Sequence, residues 1–280
     1  MKPYERENVD VAWCPGCGNF GILKLVETVL EELHAQKRST VIVSGIGQAA
    51  KTPYYVDANM LGVLHGRAVP VATAIKTANP ELTVVAEGGD GDMYGEGGNH
   101  FIHAVRRNVD IVHIVHNNMV YGLTKGQASP TSRKGFETKV QVDGVGNEPF
   151  NPLAVALALR ASFVSRVSIG NPEHAKAVLK EAFLHPGYAL VDIFQPCVTF
   201  NKLNTYAWFK ENTYTLDETH NTADLGAAMA KALETLPLPL GIFYRHSERT
   251  FEARVRHGSR RPLYASSHDT ARLRELFDAY

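Results

Sequence analysis

No apolar run in this chain of 280 residues approaches the roughly 18 that a bilayer-crossing helix needs, so no helical membrane span is expected. An excess of charge of one sign is missing too: 29 basic and 29 acidic residues cancel, leaving no basic field of the kind that grips nucleic acid. The opening Met-Lys-Pro-Tyr-Glu-Arg-Glu lacks the apolar centre of a signal peptide, which makes the cytoplasm the expected location. Cysteine is scarce, three in all, two of them in Cys14-Pro15-Gly16-Cys17; this suits a metal or redox task in a reducing compartment better than a disulfide framework. Internal repeats and domain-sized linkers are absent. What is present is an ordinary balance of 44% hydrophobic and 21% charged residues, enough for one large α/β domain over residues 1–200 with an extension, 201–280, packed on it.

Residues 87–118 are the densest in chemistry. Residues 82–86, Leu-Thr-Val-Val-Ala, are short, β-branched and apolar, as expected of a strand buried on both faces of a parallel sheet. The glycine-rich turn Gly88-Gly89-Asp90-Gly91-Asp92 follows, a helix over 96–107 returns the chain, and 110–116 supply the next strand before Asn117-Asn118. A βαβ crossover of this kind brings both strand ends to one edge of the sheet, so Asp90 and Asn118 stand side by side as oxygen ligands. Carboxylates crowded at the end of a buried strand repel one another and are kept there mainly for a ligand or a cation; Mg²⁺ on a bound diphosphate suits two such oxygens. A plain Asp-Gly turn with an asparagine cap would need only one of the acids and no paired asparagine.

Upstream, Trp13-Cys14-Pro15-Gly16-Cys17-Gly18 leads into a helix that Asn19 caps, with Phe20, Leu23, Val26, Leu30 and Leu33 at helical spacing. Thiols at a helix N-terminus sit where the dipole and free N–H groups favour thiolate. A redox dithiol, half of a zinc site and two ligands of an iron–sulfur cluster are all open readings, although only 12 residues precede Trp13, too few for the lead-in of a thioredoxin-like site. The strand 40–44 ends in Gly45-Ile46-Gly47-Gln48, where two glycines let a ligand approach the backbone. His65 opens His-Gly-Arg-Ala-Val-Pro ahead of a helix of small residues and faces either a phosphate or solvent. Beyond Asn118, Val120-Tyr121-Gly122-Leu123-Thr124 is a glycine-punctuated loop suited to completing a coordination shell. Residues 133–150 read as a long excursion, a lid or a partner-binding loop.

Alternation resumes with helices at 152–161 and 172–185, each with proline first behind an asparagine, and strands at 163–168 and 189–194. Cys197 follows the last strand and is expected at the edge that carries Asp90. A helix at 225–236, a strand at 240–244, a basic stretch at 254–261 on a solvated or subunit-facing surface and a closing helix at 271–277 complete the chain. Histidine is plentiful, at 12. His100 and His103, at i, i+3, nevertheless lack a third metal ligand, and His113 and His116 fall on opposite faces of their strand.

Together WCPGCG, SGIG, HGRAVPVATAIKTANP, GDGDMYGEGGNHFIHAVRRN and NNMVYGLTKGQASPTS resemble the β subunit of 2-oxoacid:ferredoxin oxidoreductases, in the short form typical of 2-oxoglutarate enzymes, over about residues 11–201. The resemblance implies an α/β, thiamine-diphosphate-binding fold, a mostly parallel sheet with helices on both faces. It implies thiamine diphosphate anchored by Mg²⁺ on Asp90, Asn118 and the carbonyl of Val120. Ile46, Gly47, His65, Gly89, Gly91, Asp92, Gly122, Leu123 and Thr124 would surround the cofactor, with His65 the candidate catalytic residue. A 2-oxoacid, 2-oxoglutarate ahead of pyruvate, and coenzyme A would become acyl-CoA and CO₂, or run in reverse as in a reductive tricarboxylic acid cycle. The thiazolium ring serves as electron sink, and two electrons leave singly through an iron–sulfur cluster to ferredoxin. An α subunit that supplies the glutamate for the aminopyrimidine ring completes an expected α2β2 heterotetramer.

The sequence departs from this pattern at the cluster. Cys14, Cys17 and Cys197 match three of the family's four ligands to a 4Fe-4S cluster, but Gln48 stands where the other cysteine belongs, and an amide oxygen is a poor ligand for soft iron. A cluster on three thiolates, its fourth iron held by water, a partner residue or another side chain, is the expectation; a 3Fe-4S or empty site is the alternative. The rival readings are a non-redox thiamine decarboxylase subunit and a zinc-stapled subunit without chemistry of its own.

Overall fold

The computed structural model describes residues 4–256, 259–265 and 269–279. Eight strands, β1 (Thr40–Ser44), β2 (Asn59–Gly62), β3 (Thr83–Gly89), β4 (Val112–Asn117), β5 (Phe163–Ser168), β6 (Ala189–Phe194), β7 (Thr213–Thr215) and β8 (Leu238–Arg245), form one sheet in the order β2-β1-β3-β4-β6-β5-β8-β7. Its neighbours pair in parallel except where β8 runs antiparallel to β5, through an irregularity at Val164/Ser165. The helices are α1 (Asn19–Glu32), α2 (Ala68–Ala78), α3 (Gly98–Arg107), α4 (Pro152–Ala158), α5 (Pro172–Leu184), α6 (Tyr206–Glu211), α7 (Leu225–Ala232), α8 (Phe251–Val255) and α9 (Thr270–Asp278).

Period-two alternation in buried strands splits the core in two. Val85, Val112 and Ile114 join Ile22, Val26 and Leu30 of α1 and Ala175 and Leu179 of α5 on one face. Val84, Ala86 and Val115 join Ala72 of α2, Phe101 of α3, Leu153 of α4 and Ala228 of α7 on the other. Strands covered by helices on both sides are the arrangement their β-branched sequences favour. Asn151 and Asn171 cap α4 and α5, accepting from the N–H of Ala154 at 3.1 Å and of His174 at 3.3 Å.

Several boundaries differ from the sequence expectation. β3 continues through Gly89, and the chain enters a π-helical segment, Gly91–Glu96, with no intervening glycine turn; α3 begins only at Gly98. The expected cap at Asn19 is absent: Gly18 holds the cap position without a side-chain bond, and Asn19 is already the first, fully buried helical residue. β2, β7, α6 and α8 were not anticipated. The basic stretch divides: Arg256 Nη1 donates to the carbonyls of Thr77 (3.0 Å) and Ala78 (3.2 Å), capping the negative end of α2, and Arg254 pairs with Glu248 at 3.2 Å, whereas Arg260 and Arg261 are exposed as expected. His257 and Gly258 of that stretch lie outside the described residues.

Candidate active site

The parallel strands deliver their C-terminal ends to one edge, and β3 and β4 pair up to Gly89 opposite His116. One residue beyond Gly89, Asp90 is almost completely buried. Its Oδ2 accepts from the hydroxyls of Ser129 and Thr131, both at 2.5 Å. Burial raises the carboxyl pKa to about 6, opposed by these two hydroxyls. Among the described residues no cationic side chain pairs with it, so a buried charge stands at the strand end without a counter-ion, the situation a bound cation relieves.

Beyond β4, the Oδ1 of Asn118 accepts from the N–H of Val120 at 3.1 Å, turning the chain tightly, and Met119 between them takes a left-handed φ of 56°. The carbonyls of Asn118 and Met119 accept from Asn201 Nδ2 and Ser132 Oγ, while no donor among the described residues reaches the carbonyl of Val120. Asp90, Asn118 and Val120 thus offer a carboxylate, an amide and a free carbonyl, an oxygen set that fits Mg²⁺. Two glycines leave room for a diphosphate and its loop. Gly47 has φ 141° with open space where a Cβ would sit, and a Cβ on Gly91 would lie 2.1 Å from the ring of Tyr121.

Asp92 faces inward. Its Oδ1 accepts from the N–H of Ile46 (3.2 Å) and of Gly66 (2.7 Å) and contacts His65 Nδ1 at 2.6 Å. His65 is one-third exposed, its Nε2 lies 3.5 Å from Glu96 Oε2, and its ring meets Tyr121 edge-on. Of the other expected cofactor residues, Ile46, Leu123 and Thr124 are exposed, the last bonded to Gln127 at 2.5 Å.

Behind Asn118 a small pocket of about 40 Å³ gathers Cys14, Cys17, Cys197, Gln48, Asn118 and Gly122. The turn of the first two cysteines is closed by Cys17 N–H donating to Cys14 carbonyl at 3.0 Å. The Trp13 indole N–H donates to the Gln48 carbonyl at 2.8 Å, stapling this turn to the loop after β1. The expected thiolate bias does not prevail at Cys17: burial pushes its thiol up, the nearby cysteines push the same way, and the backbone N–H of Asn19 only partly opposes them. Three thiols around one pocket fit iron. Gln48 adds no fourth thiolate, and its buried Oε1 has no hydrogen-bond partner.

Two buried networks flank this edge and were not read from the sequence. On the α1 face, His116 bridges Asn19 Oδ1 (2.9 Å) and Glu87 Oε1 (2.8 Å). On the opposite face, Asn117 Oδ1 accepts from Thr131, and its Nδ2 donates to Asp192, which Arg166 and Tyr94 also hold. The buried charges Glu87 and Asp192, set inside apolar strands, were the available signal.

Residues 39–193 match the family model of the C-terminal TPP binding domain of thiamine pyrophosphate enzymes, and residues 197–259 match that of the C-terminal part of the pyruvate ferredoxin oxidoreductase β subunit. The β subunit of 2-oxoacid:ferredoxin oxidoreductase 1 from Aeropyrum pernix is 41% identical over 93% of this chain and 85% of its own. The KorB subunit of 2-oxoglutarate synthase from Archaeoglobus fulgidus is 37% identical over 81% and 88%. Among solved structures, a 2-oxoglutarate:ferredoxin oxidoreductase from Magnetococcus marinus, with 2-oxoglutarate, coenzyme A and succinyl-CoA bound, superposes with a TM-score of 0.92 at 38% identity, covering 99% of this chain and 96% of that one. A thiamine-enzyme sheet carrying a cation-seeking Asp90 beside a three-cysteine pocket, and relatives of this likeness, place the chain in the family of 2-oxoacid:ferredoxin oxidoreductase β subunits.

Proposed function

We propose that this subunit works on 2-oxoglutarate, holding thiamine diphosphate through Mg²⁺ and an iron–sulfur cluster through Cys14, Cys17 and Cys197, in a cytoplasmic α2β2 assembly that reduces ferredoxin. The reaction joins 2-oxoacid, coenzyme A and two oxidised ferredoxins into acyl-CoA, CO₂, two reduced ferredoxins and one proton, and it reverses when ferredoxin is sufficiently reduced. The observation that carries the reading is Asn118, a metal-ligand candidate beside Asp90 that also lines the three-cysteine pocket. Electron source and electron exit then sit on two sides of one residue.

The thiazolium ring, when bound, supplies the electron sink for decarboxylation. The rest falls to side chains. Asp90, Asn118 and the Val120 carbonyl would hold the metal; Gly47 and Gly89 would leave room for the diphosphate, Gly91 makes room for the ring of Tyr121, and Gly122, Leu123 and Thr124 would belong to the neighbouring loop. Asp92 acts through His65, fixing Nδ1 so that the partly exposed ring carries Nε2 toward Glu96, free to hydrogen-bond a phosphate or move a proton. Residues 201–280 serve as an extension of the same domain, since β7 and β8 continue the sheet.

The test is anaerobic iron and sulfide analysis with electron paramagnetic resonance on the αβ complex, before and after 2-oxoglutarate and coenzyme A. Three or four irons and a signal that responds to substrate support the redox reading; Gln48→Cys should then raise a three-iron site to four. Gln48 itself favours one second reading, a non-redox thiamine enzyme. No iron with thiamine diphosphate still bound would establish it.

A further inference from the structure

Asp192 sits in the middle of β6 with no exposure at all, in a strand that is otherwise apolar. A carboxylate there needs donors, and it has three: Tyr94 Oη (3.1 Å) and Asn117 Nδ2 (3.0 Å) on Oδ1, and Arg166 Nε (2.8 Å) on Oδ2. Arg166 is itself buried and lies over the ring of Phe194, 4.6 Å from its centroid, so the pair is fixed from both sides. The consequence runs outward. A primary amide that gives its Nδ2 to a carboxylate must turn its Oδ1 the other way, and that oxygen meets the Thr131 hydroxyl at 3.0 Å. Thr131 in turn lies 2.5 Å from Asp90 Oδ2. The contacts Arg166–Asp192–Asn117–Thr131–Asp90 are continuous: Asp192 sets the orientation of the Asn117 amide, and the one hydroxyl hydrogen of Thr131 is shared between that amide oxygen and Asp90 Oδ2, which fixes the hydroxyl between them.

We propose that Asp192, held by Arg166, is a positioning residue for the metal site, fixing the carboxylate of Asp90 through Asn117 and Thr131. The proposal rests on reading Asp90 as a metal ligand. Two effects of Asp192 act in the same direction: it orients the ligand, and its negative charge adds to the field that attracts a cation and offsets Arg166. Outer-shell partners of this kind are worth about 10–100-fold in metal affinity.

The experiment uses the αβ complex saturated with thiamine diphosphate and measures Mn²⁺ binding from the electron paramagnetic resonance of the free ion, alongside thermal unfolding. Asp192→Asn and Thr131→Val are each expected to weaken Mn²⁺ by about tenfold or more. Their double variant should be weakened by less than the product of the two, because they break one chain, and Thr131→Ser should bind as the wild type does. Thr131→Val keeps the test open if Asp192→Asn fails to fold. Folded variants with wild-type Mn²⁺ affinity and merely lowered unfolding temperature would reduce the network to a stabilising one and overturn the proposal. Asp90→Asn separates the two readings: if it loses Mn²⁺ while Asp192→Asn and Thr131→Val keep it, only the positioning role falls; if Asp90→Asn keeps Mn²⁺, the metal reading falls and the proposal with it.

Discussion

The two faces of β4 treat polar groups differently. Toward Asp192, each polar side-chain atom of Asn117, Thr131, Ser129 and Asp192 has a partner within the chain, and on that face of β4 His113 Nε2 is the exception. Toward the cysteines, Gln48 Oε1, Glu87 Oε2 and both amide atoms of Gln195 are buried without one. A buried polar atom left unpaired costs roughly 1–3 kcal/mol, so the second side carries more uncompensated polar burial than the first. On the proposed reading, the metal would bind on a nearly finished scaffold, and the cysteine side would take its final order with a bound cluster.

The largest effect expected on the organised side comes from Asp90→Asn, which should lower turnover on the order of 10³-fold, several kcal/mol of barrier. The same change should stabilise the metal-free protein. The folded pKa of Asp90 is raised from 3.8 to about 6, so the fold prefers the protonated acid. Stability is therefore lost as pH climbs from about 4 to about 6 and is constant above, a cost of roughly 3 kcal/mol at neutral pH. Chemical denaturation of the Asn variant and wild type at pH 4, 5 and 7 should show a gain that grows with pH; an equal gain at all three would contradict the assignment.

On the cysteine side the comparable probe is Glu87→Leu, which leaves His116 Nε2 buried with nothing to bind. A loss of roughly 3 kcal/mol in urea unfolding is expected. If the variant is as stable as wild type, the Glu87–His116–Asn19 network is no more than incidental, and the contrast between the faces weakens. Tyr94→Phe is the mildest: Asp192 keeps Asn117 and Arg166, so about 1 kcal/mol should be lost, with Mn²⁺ affinity nearly unchanged.

Much of this was legible in the sequence. β1, β3, β4, β5 and β6 are short and rich in β-branched and apolar residues and declare themselves, and the glycine and asparagine motifs put Asp90 and Asn118 at neighbouring strand ends, where the structure has them. β2 was hidden because it is an exposed edge strand, Asn-Met-Leu-Gly, without alternation, and β7 because it has only three residues. The π-helical segment was masked by Asp90-Gly91-Asp92, whose composition is that of a turn; burial of Met93 and Tyr94 against the core overrides that local preference. Asn19 looked like a cap since nothing local shows that His116, 97 positions later, claims its side chain. Asp192 was a charge in a strand whose partners Asn117 and Tyr94 lie 75 and 98 positions away, beyond the reach of any periodicity.

The alternation of β4 has one more consequence, for how this family can change over time. His116 projects toward α1 and Asn117 toward the Asp192 network, while Asn118 lines the thiol pocket. One residue inserted or deleted after Val115 would send each of these side chains to the opposite layer and break both networks and the turn at Asn118 at once. Lineages should thus keep the length of this strand fixed while lengthening or trimming the mostly exposed stretch 137–148, which has no helix or strand to interrupt and lies between the packed Phe136 and Phe150.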